Sequence, residues 1–126
     1  MRALIIDDSR AMRSILRRIV SDLSFEIAEA GNGQEALDLL EGGYEADLCL
    51  VDWNMPVMDG YTFITRVRAN PEWRNITLMM VTTESEQRQI VKALAAGAHE
   101  YVIKPFTPDA IVEKLELLGL LAKGVA

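Results

Sequence analysis

Short apolar runs alternate along this chain with longer stretches in which apolar residues recur at every third or fourth position. Four such runs lie within residues 3–6, 48–51, 77–82 and 100–104, and residues 25–30 form a further short strand-like segment. A short run that is apolar throughout is typical of a strand covered on both faces, and a period of 3.6 is typical of the helix that covers it. The alternation therefore predicts an α/β fold, a doubly wound sheet of five parallel strands flanked by five helices.

Turn and capping residues mark the limits of the predicted helices, which are residues 9–23, 34–41, 61–68, about 85–96 and 108 onwards. Asp8 or Ser9 is expected to cap helix 1, and Gly97 to end helix 4. No linker, repeat or low-complexity segment interrupts the pattern. Residues 1–126 are therefore expected to form one domain that ends in a short tail.

The charge of the chain argues against two classes of partner. Thirteen Lys and Arg residues against nineteen Asp and Glu residues leave a net charge of -6, which opposes binding to nucleic acid and to anionic membranes. No apolar run approaches the roughly 18 residues of a membrane-spanning helix, and the first residues lack the pattern of a signal peptide. We expect a cytoplasmic monomer whose single cysteine, Cys49, is a core residue.

Polar side chains follow or end four of the predicted strands. They are Asp7, Asp8, Asp52, Thr82 and Lys104. Ligands of open α/β sheets bind in the crevice outside the carboxyl ends of the strands, so these side chains are expected to share one crevice. The sequence thus predicts a site with three carboxylates, a hydroxyl and an ammonium group.

Such a set of groups suits metal-assisted phosphoryl transfer. Carboxylate oxygens are ligands for Mg²⁺ or Mn²⁺, and a bound cation would relieve the repulsion between Asp7 and Asp8. Asp52 needs no base to act as a nucleophile at neutral pH, while Lys104 and Thr82 would contact phosphoryl oxygens. Simpler roles stay open at this point: the acidic pair as a cap of helix 1, the threonine as a strand former and the lysine as a side chain that reaches to water.

The order and spacing of these residues resemble those of response-regulator receiver domains over essentially the whole chain. The resemblance is carried by the acidic pair, by Asp52 in the segment DWNMPVMDG (52–60), by Thr82 and by the segment KPF (104–106). It implies a flavodoxin-like sheet with the strand order 2-1-3-4-5.

The resemblance also implies roles for the site residues. Asp52 would accept a phosphoryl group from a histidine kinase, and Lys104 and Thr82 would bind the phosphoryl oxygens. Asp8, Asp52 and the Asn54 carbonyl would bind Mg²⁺ directly. Asp7 would bind it through water. A protein of this kind catalyses only its own phosphorylation and dephosphorylation and is not an enzyme acting on another substrate.

Within the family the chain is most similar to the stand-alone chemotaxis regulators. Trp53 and Asn54 beside the acceptor, Glu84 after Thr82, and Tyr101 before the lysine carry this likeness. It implies that phosphorylation draws Thr82 inward and lets Tyr101 rotate into the space left. The surface of helix 4, strand 5 and helix 5 would then change for partner binding.

Three residues around the acceptor are expected to tune access to the phosphoryl group: Asn54, Thr83 and Glu84. Thr83 stands where chemotaxis regulators often have alanine, so its bulk would restrict access and alter the phosphoryl lifetime. The implied partners are a sensor histidine kinase, a downstream target such as the flagellar motor switch or a phosphotransfer protein, and a phosphatase. A phosphorelay shuttle, or another single-domain receiver outside chemotaxis, is the alternative.

Two other functions fit the sequence less well. A Mg²⁺-dependent aspartyl phosphatase or phosphotransferase would have a catalytic acid where Asn54 stands, and a substrate cap for which 126 residues leave no room. A flavodoxin-like cofactor binder would need Ser, Thr and Gly donors in its first loop. Asp7 and Asp8 would repel a phosphate at that position.

Overall fold

In the computed structural model, which describes residues 1–122, strands and helices alternate as the sequence pattern predicts. The strands are β1 (Arg2–Ile6), β2 (Glu26–Ala30), β3 (Leu48–Val51), β4 (Thr77–Thr82) and β5 (Glu100–Ile103). The helices are α1 (Arg10–Asp22), α2 (Gly33–Glu41), α3 (Gly60–Ala69), α4 (Gln87–Ala96) and α5 (Pro108–Leu117). Residues 123–126, the end of the predicted tail, lie outside the described residues.

The five strands form one parallel sheet in the order β2-β1-β3-β4-β5. The predicted α/β fold and its strand order are therefore confirmed. Between α3 and β4, Pro71–Trp73 form a short 3-10 turn that the sequence pattern does not predict. Across residues 1–122, none of the helices has both the length and the apolar character that a membrane span requires.

Each face of the sheet has its own hydrophobic core because side chains alternate along every strand. Leu4 and Ile6 face the core that α2, α3 and α4 cover, whereas Ala3 and Ile5 face the core that α1 and α5 cover. Cys49 is fully buried in the first of these cores, and burial raises the pKa of its thiol to about 12. It is thus an unreactive core residue, as predicted.

Side-chain caps fix the starts of four helices. In each of them, the cap side chain accepts a hydrogen bond from the backbone N–H three residues later; the caps are Ser9, Asn32, Asp59 and Thr107. Helix α4 differs, because Glu86 at its N-terminus makes no such bond and Ala93 is its one fully buried residue. The sequence predicts a start at about Ser85, but the helix begins at Gln87, because neither Ser85 nor Glu86 supplies the cap that would fix an earlier start.

Candidate functional site

The sheet brings the predicted site residues together at the carboxyl ends of its strands. Strands β1 and β3 pair in register up to their last residues, so Asp7 and Asp52 follow neighbouring strand ends. Thr82 is the last residue of β4, and its carbonyl accepts a hydrogen bond of 2.8 Å from the backbone N–H of Lys104, directly after β5. The side chains of these four residues therefore face one crevice.

Lys104 supplies the positive charge of this crevice. Its Nζ lies 2.8 Å from Oδ2 of Asp7 and 3.5 Å from Oδ2 of Asp52. The side chains of Lys104 and Asp7 are only 11% and 2% exposed. Water screens such a pair far less than it screens a pair on the surface, so the ammonium group strongly offsets the charge of the carboxylates. The peptide bond between Lys104 and Pro105 is cis.

Asp52 is buried, and its carboxylate is held in one orientation. Oδ1 accepts a hydrogen bond of 2.8 Å from the backbone N–H of Trp53, while Oδ2 is turned toward Lys104. Burial raises the pKa of Asp52 above its ordinary value, and a hydrogen bond from the Thr82 hydroxyl and the charge of Lys104 oppose that rise. Oδ2 is therefore the oxygen available to a reacting group in the crevice.

Three carboxylates meet closely enough to hold a metal ion. Asp7, Asp8 and Asp52 each place an oxygen within 4.8 Å of the other two. Oxygen donors at this spacing fit a hard divalent cation such as Mg²⁺. Both oxygens of Asp7 already accept hydrogen bonds of 2.8 Å, one from the backbone N–H of Ser9 and one from Lys104, whereas Asp8 is exposed. Asp8 and Asp52 are thus better placed than Asp7 to bind an ion directly.

Thr82 and Tyr101, the residues expected to act as a switch, lie on β4 and β5, next to the loop that contains Thr83 and Glu84. Thr82 is fully buried, and the buried ring of Tyr101 packs in the core beneath α4. The Tyr101 hydroxyl donates a hydrogen bond of 2.6 Å to the backbone carbonyl of Glu84, and burial raises its pKa to about 12. Tyr101 is therefore a neutral donor that lies inward. Thr83 is exposed and the Glu84 side chain is partly exposed at the mouth of the crevice.

The loop after Asp52 has two backbone constraints. A Cβ atom on Gly60 would collide with the carbonyl oxygen of Asp52 and come within 2.9 Å of the carbonyl carbon, so only glycine fits there. Val57 has a φ angle of 69°, in the left-handed region that β-branched residues rarely adopt, and is 82% exposed. Asn54 lies in the same loop and is exposed, beside the predicted metal ligands.

An aromatic stack beside the acceptor is a feature that sequence reasoning missed. The rings of Trp53 and Tyr61 are stacked, with their centroids 5.7 Å apart and an interplanar angle of 13°. The Nζ of Lys92, on α4, lies 4.5 Å from the centroid of the Tyr61 ring. The three residues come from the loop after β3, from α3 and from α4, so no local sequence pattern links them.

Arg13 also has a role that the helical pattern does not show. The pattern places it on the polar face of helix 1, yet its mostly buried guanidinium donates a hydrogen bond of 2.6 Å to the Asp7 carbonyl. It also pairs with Glu29 at 3.0 Å, as Arg17 does at 2.7 Å. Hydrogen bonds from both arginines lower the pKa of Glu29, and the bond from Arg17 has the larger effect. Arg13 thus links α1 and β2 to the backbone of the acidic pair.

His99 lies outside the crevice and is exposed, but its ring has structural contacts. Its Nδ1 accepts a hydrogen bond of 3.1 Å from the backbone N–H of Leu78 and lies 3.2 Å from the guanidinium of Arg68. Partial burial and the charge of Arg68 lower the pKa of His99. The ring is therefore held in its neutral form at the start of β4.

Comparisons with known proteins agree with this geometry. A family model described as the response regulator receiver domain matches residues 3–116. The chain is 39% identical to chemotaxis protein CheY1 of Helicobacter pylori over 119 residues, which cover 94% of this chain and 96% of that protein. It is 41% identical to chemotaxis protein CheY of Pseudomonas aeruginosa over 117 residues, which cover 92% of this chain and 94% of that protein. The solved structure of chemotaxis protein CheY4 of Vibrio cholerae is similar with a TM-score of 0.84 at 30% identity, covering 92% of this chain and 96% of that one.

Proposed function

Because the chain belongs to the response regulator receiver domain family, we propose that it is a signalling switch in which Asp52 accepts a phosphoryl group from a histidine kinase. One observation carries the proposal. Asp52 is a buried carboxylate whose Oδ2 lies 3.5 Å from the Lys104 ammonium, within a cluster of three carboxylates. A nucleophile, a cation for the transferred group and oxygen ligands for a metal ion are thus present in one crevice.

The transfer follows from the positions of the two Asp52 oxygens. Oδ2 attacks phosphorus and forms the new O–P bond, while the P–N bond of the donor phosphohistidine breaks. The electron pair of that bond stays on the imidazole nitrogen, which takes up a proton. Oδ1 remains fixed by the Trp53 N–H, so the carboxylate keeps its orientation during attack.

Charge neutralisation is the main task of the surrounding residues. Lys104 contacts both Asp7 and Asp52, so a small shift brings its ammonium onto an oxygen of the transferred group. Thr82 is fully buried at the end of β4, so its hydroxyl donates to a second oxygen of the transferred group. Mg²⁺, with Mn²⁺ as a substitute, would be held directly by Asp8, Asp52 and the Asn54 carbonyl, and by Asp7 through water. When bound it would neutralise phosphoryl charge.

The output of the switch is the surface formed by α4, β5 and α5. Four large apolar side chains on these elements are exposed: Val91 and Leu94 on α4, Ile103 on β5 and Leu117 on α5. Such residues suit a partner-binding face. The similarity to chemotaxis proteins supports a cytoplasmic, stand-alone regulator that receives its phosphoryl group from a sensor kinase of that pathway and passes the signal to a target such as the flagellar motor switch.

Tryptophan fluorescence tests the acceptor site. Trp53 adjoins Asp52, so we expect Mg²⁺ to quench the signal and beryllium fluoride, which mimics a phosphoryl group, to produce a second, saturable change. Asp52→Asn should abolish the second change. Asp22→Asn is the matched control, because it removes an exposed carboxylate at the far end of α1.

Phosphorylation with a small-molecule phosphodonor completes the test. Wild type and Asp22→Asn should gain one phosphoryl group that hydroxylamine releases, as expected of an acyl phosphate, and Asp52→Asn should gain none. A wild-type protein that neither binds beryllium fluoride nor becomes phosphorylated would overturn the proposal. If the wild-type protein does bind beryllium fluoride, a pull-down with and without it identifies the partner that binds only the activated form. This distinguishes a motor-switch target from a phosphotransfer protein.

A further inference from the structure

We infer that Lys92 is a positioning residue that couples the acceptor to helix α4 through the stacked rings of Tyr61 and Trp53. The inference rests on the proposed function, because it concerns how the state of Asp52 reaches the surface that α4 forms. It assigns a role to three residues that neither bind the phosphoryl group nor belong to the threonine and tyrosine pair described above.

The first link joins Trp53 to the acceptor through the backbone. The N–H of Trp53 donates to Oδ1 of Asp52 at 2.8 Å, and its carbonyl accepts a hydrogen bond of 2.8 Å from the N–H of Gly60. The Trp53 side chain is buried. The backbone of Trp53 is therefore held between the acceptor carboxylate and the start of α3, and its ring is enclosed by the core.

The second link joins Trp53 to α4. Tyr61, one residue into α3, stacks on Trp53 at 5.7 Å, and the Lys92 ammonium lies 4.5 Å from the centre of the Tyr61 ring. A cation at this distance from an aromatic face is attracted by the negative charge of the face. The chain of contacts thus runs from Asp52 through Trp53 and Tyr61 to a side chain of α4.

Helix α4 is held by fewer capping and buried side chains than the other four α-helices. It has no side-chain cap, and Ala93 is its one fully buried residue. The other four helices each have a cap and bury at least two residues. With so few buried side chains holding α4, the contact between Lys92 and Tyr61 should influence where the helix lies.

The direction of the effect follows from the position of Tyr101. Its ring lies inward beneath α4 with its hydroxyl on the Glu84 carbonyl, which is the arrangement that the resemblance to receiver domains implies for the phosphorylated form. Lys92 contacts Tyr61 in this same arrangement. Loss of the contact should reduce the population of this arrangement and so weaken the binding of a phosphoryl mimic.

Calorimetric titration with beryllium fluoride in saturating Mg²⁺ tests the coupling. Lys92→Met should weaken the apparent affinity about two- to fivefold, and Lys92→Arg should restore it because a guanidinium also binds an aromatic face. Arg88→Met is the matched control: it removes the same charge from the same helix, at a side chain that is 91% exposed. It should leave the affinity unchanged.

A double-mutant cycle separates coupling from a general loss of stability. Tyr61→Leu should weaken the affinity as Lys92→Met does, and the double variant should lose no more than either single variant. The inference is overturned if Lys92→Met binds like wild type, if Arg88→Met loses as much, or if the two losses add. Failure of the wild-type protein to bind beryllium fluoride is a different result, which overturns the proposed function and with it this inference.

Discussion

Replacing Lys104 by methionine should destabilise the protein by about 3–5 kcal/mol at neutral pH without divalent cations. Methionine keeps most of the buried volume but removes the ammonium that lies 2.8 Å from Asp7 and 3.5 Å from Asp52. At an effective dielectric constant of about 20, each attraction is roughly 5–6 kcal/mol, and desolvation of the charges offsets much of the sum. The variant leaves three carboxylates within 4.8 Å of one another without the ammonium that balances them.

A second lysine provides the control. Lys114 lies 3.1 Å from Glu100, but the two side chains are 34% and 25% exposed. Water screens this pair, so Lys114→Met should cost less than about 1 kcal/mol. Urea denaturation of both variants measures the difference, which for a chain of this length corresponds to about 4 °C in melting temperature per kcal/mol.

Cations and protons should each reduce the cost of Lys104→Met. Mg²⁺ replaces the lost positive charge, so its addition should restore much of the stability. The pKa of Asp52 is raised in the folded protein, and loss of the Lys104 charge raises it further. The folded state therefore takes up a proton before the unfolded state does as the pH falls, and the deficit should narrow from pH 7 to pH 5. A variant as stable as wild type, or a deficit that neither Mg²⁺ nor pH changes, would refute the reasoning.

Three other perturbations have defined outcomes. Gly60→Ala should lower the free energy of unfolding, measured in urea, by about 1–3 kcal/mol, because the new Cβ collides with the backbone of Asp52. Gly31→Ala is the control: its Cβ meets only ordinary contacts, so the free energy of unfolding should not fall. Equal losses in the two variants would contradict the steric argument. His99→Asn keeps an acceptor for the Leu78 N–H but does not titrate. The pKa of His99 is lowered in the folded protein, so its contribution to stability is present above about pH 6.5 and is lost as the pH falls. The variant should therefore lose less stability than wild type between pH 7 and pH 5. Parallel curves of stability against pH would exclude this contribution of His99. Val57→Asn should raise the melting temperature by about 4 °C, because the left-handed backbone costs asparagine about 1 kcal/mol less than it costs valine. An unchanged melting temperature would show that the loop is unstrained.

The strand ends explain why much of the crevice could be predicted from the sequence. Asp52 and Lys104 directly follow continuous apolar runs, and the geometry of a parallel sheet then places them together whatever the details of packing. Helix starts could be read equally well where Ser9 or Asp59 supplies a cap. The start of α4 could not, because the sequence points to Ser85 as the first residue, whereas the helix begins after Glu86, which forms no cap bond.

Contacts between distant elements account for what the sequence could not show. Tyr61 and Lys92 come from different helices, and their contact depends on how α3 and α4 pack. Arg13 has the pattern of a surface residue on its own helix. Its contacts with Glu29 on β2 and with the Asp7 carbonyl depend on how α1 packs against the sheet. Periodicity describes one element at a time, so it predicts which face is buried and not which partner that face meets.

The light anchoring of α4 has a consequence for how this protein can change over time. A helix with no cap and one fully buried residue can open while the sheet beneath it stays folded, so amide hydrogens in α4 should exchange with solvent by local opening well before the whole domain unfolds. The free energy of that opening is set by a few surface side chains. Substitutions there can retune the sensitivity of the switch in small steps while the strands that hold the acceptor are left untouched.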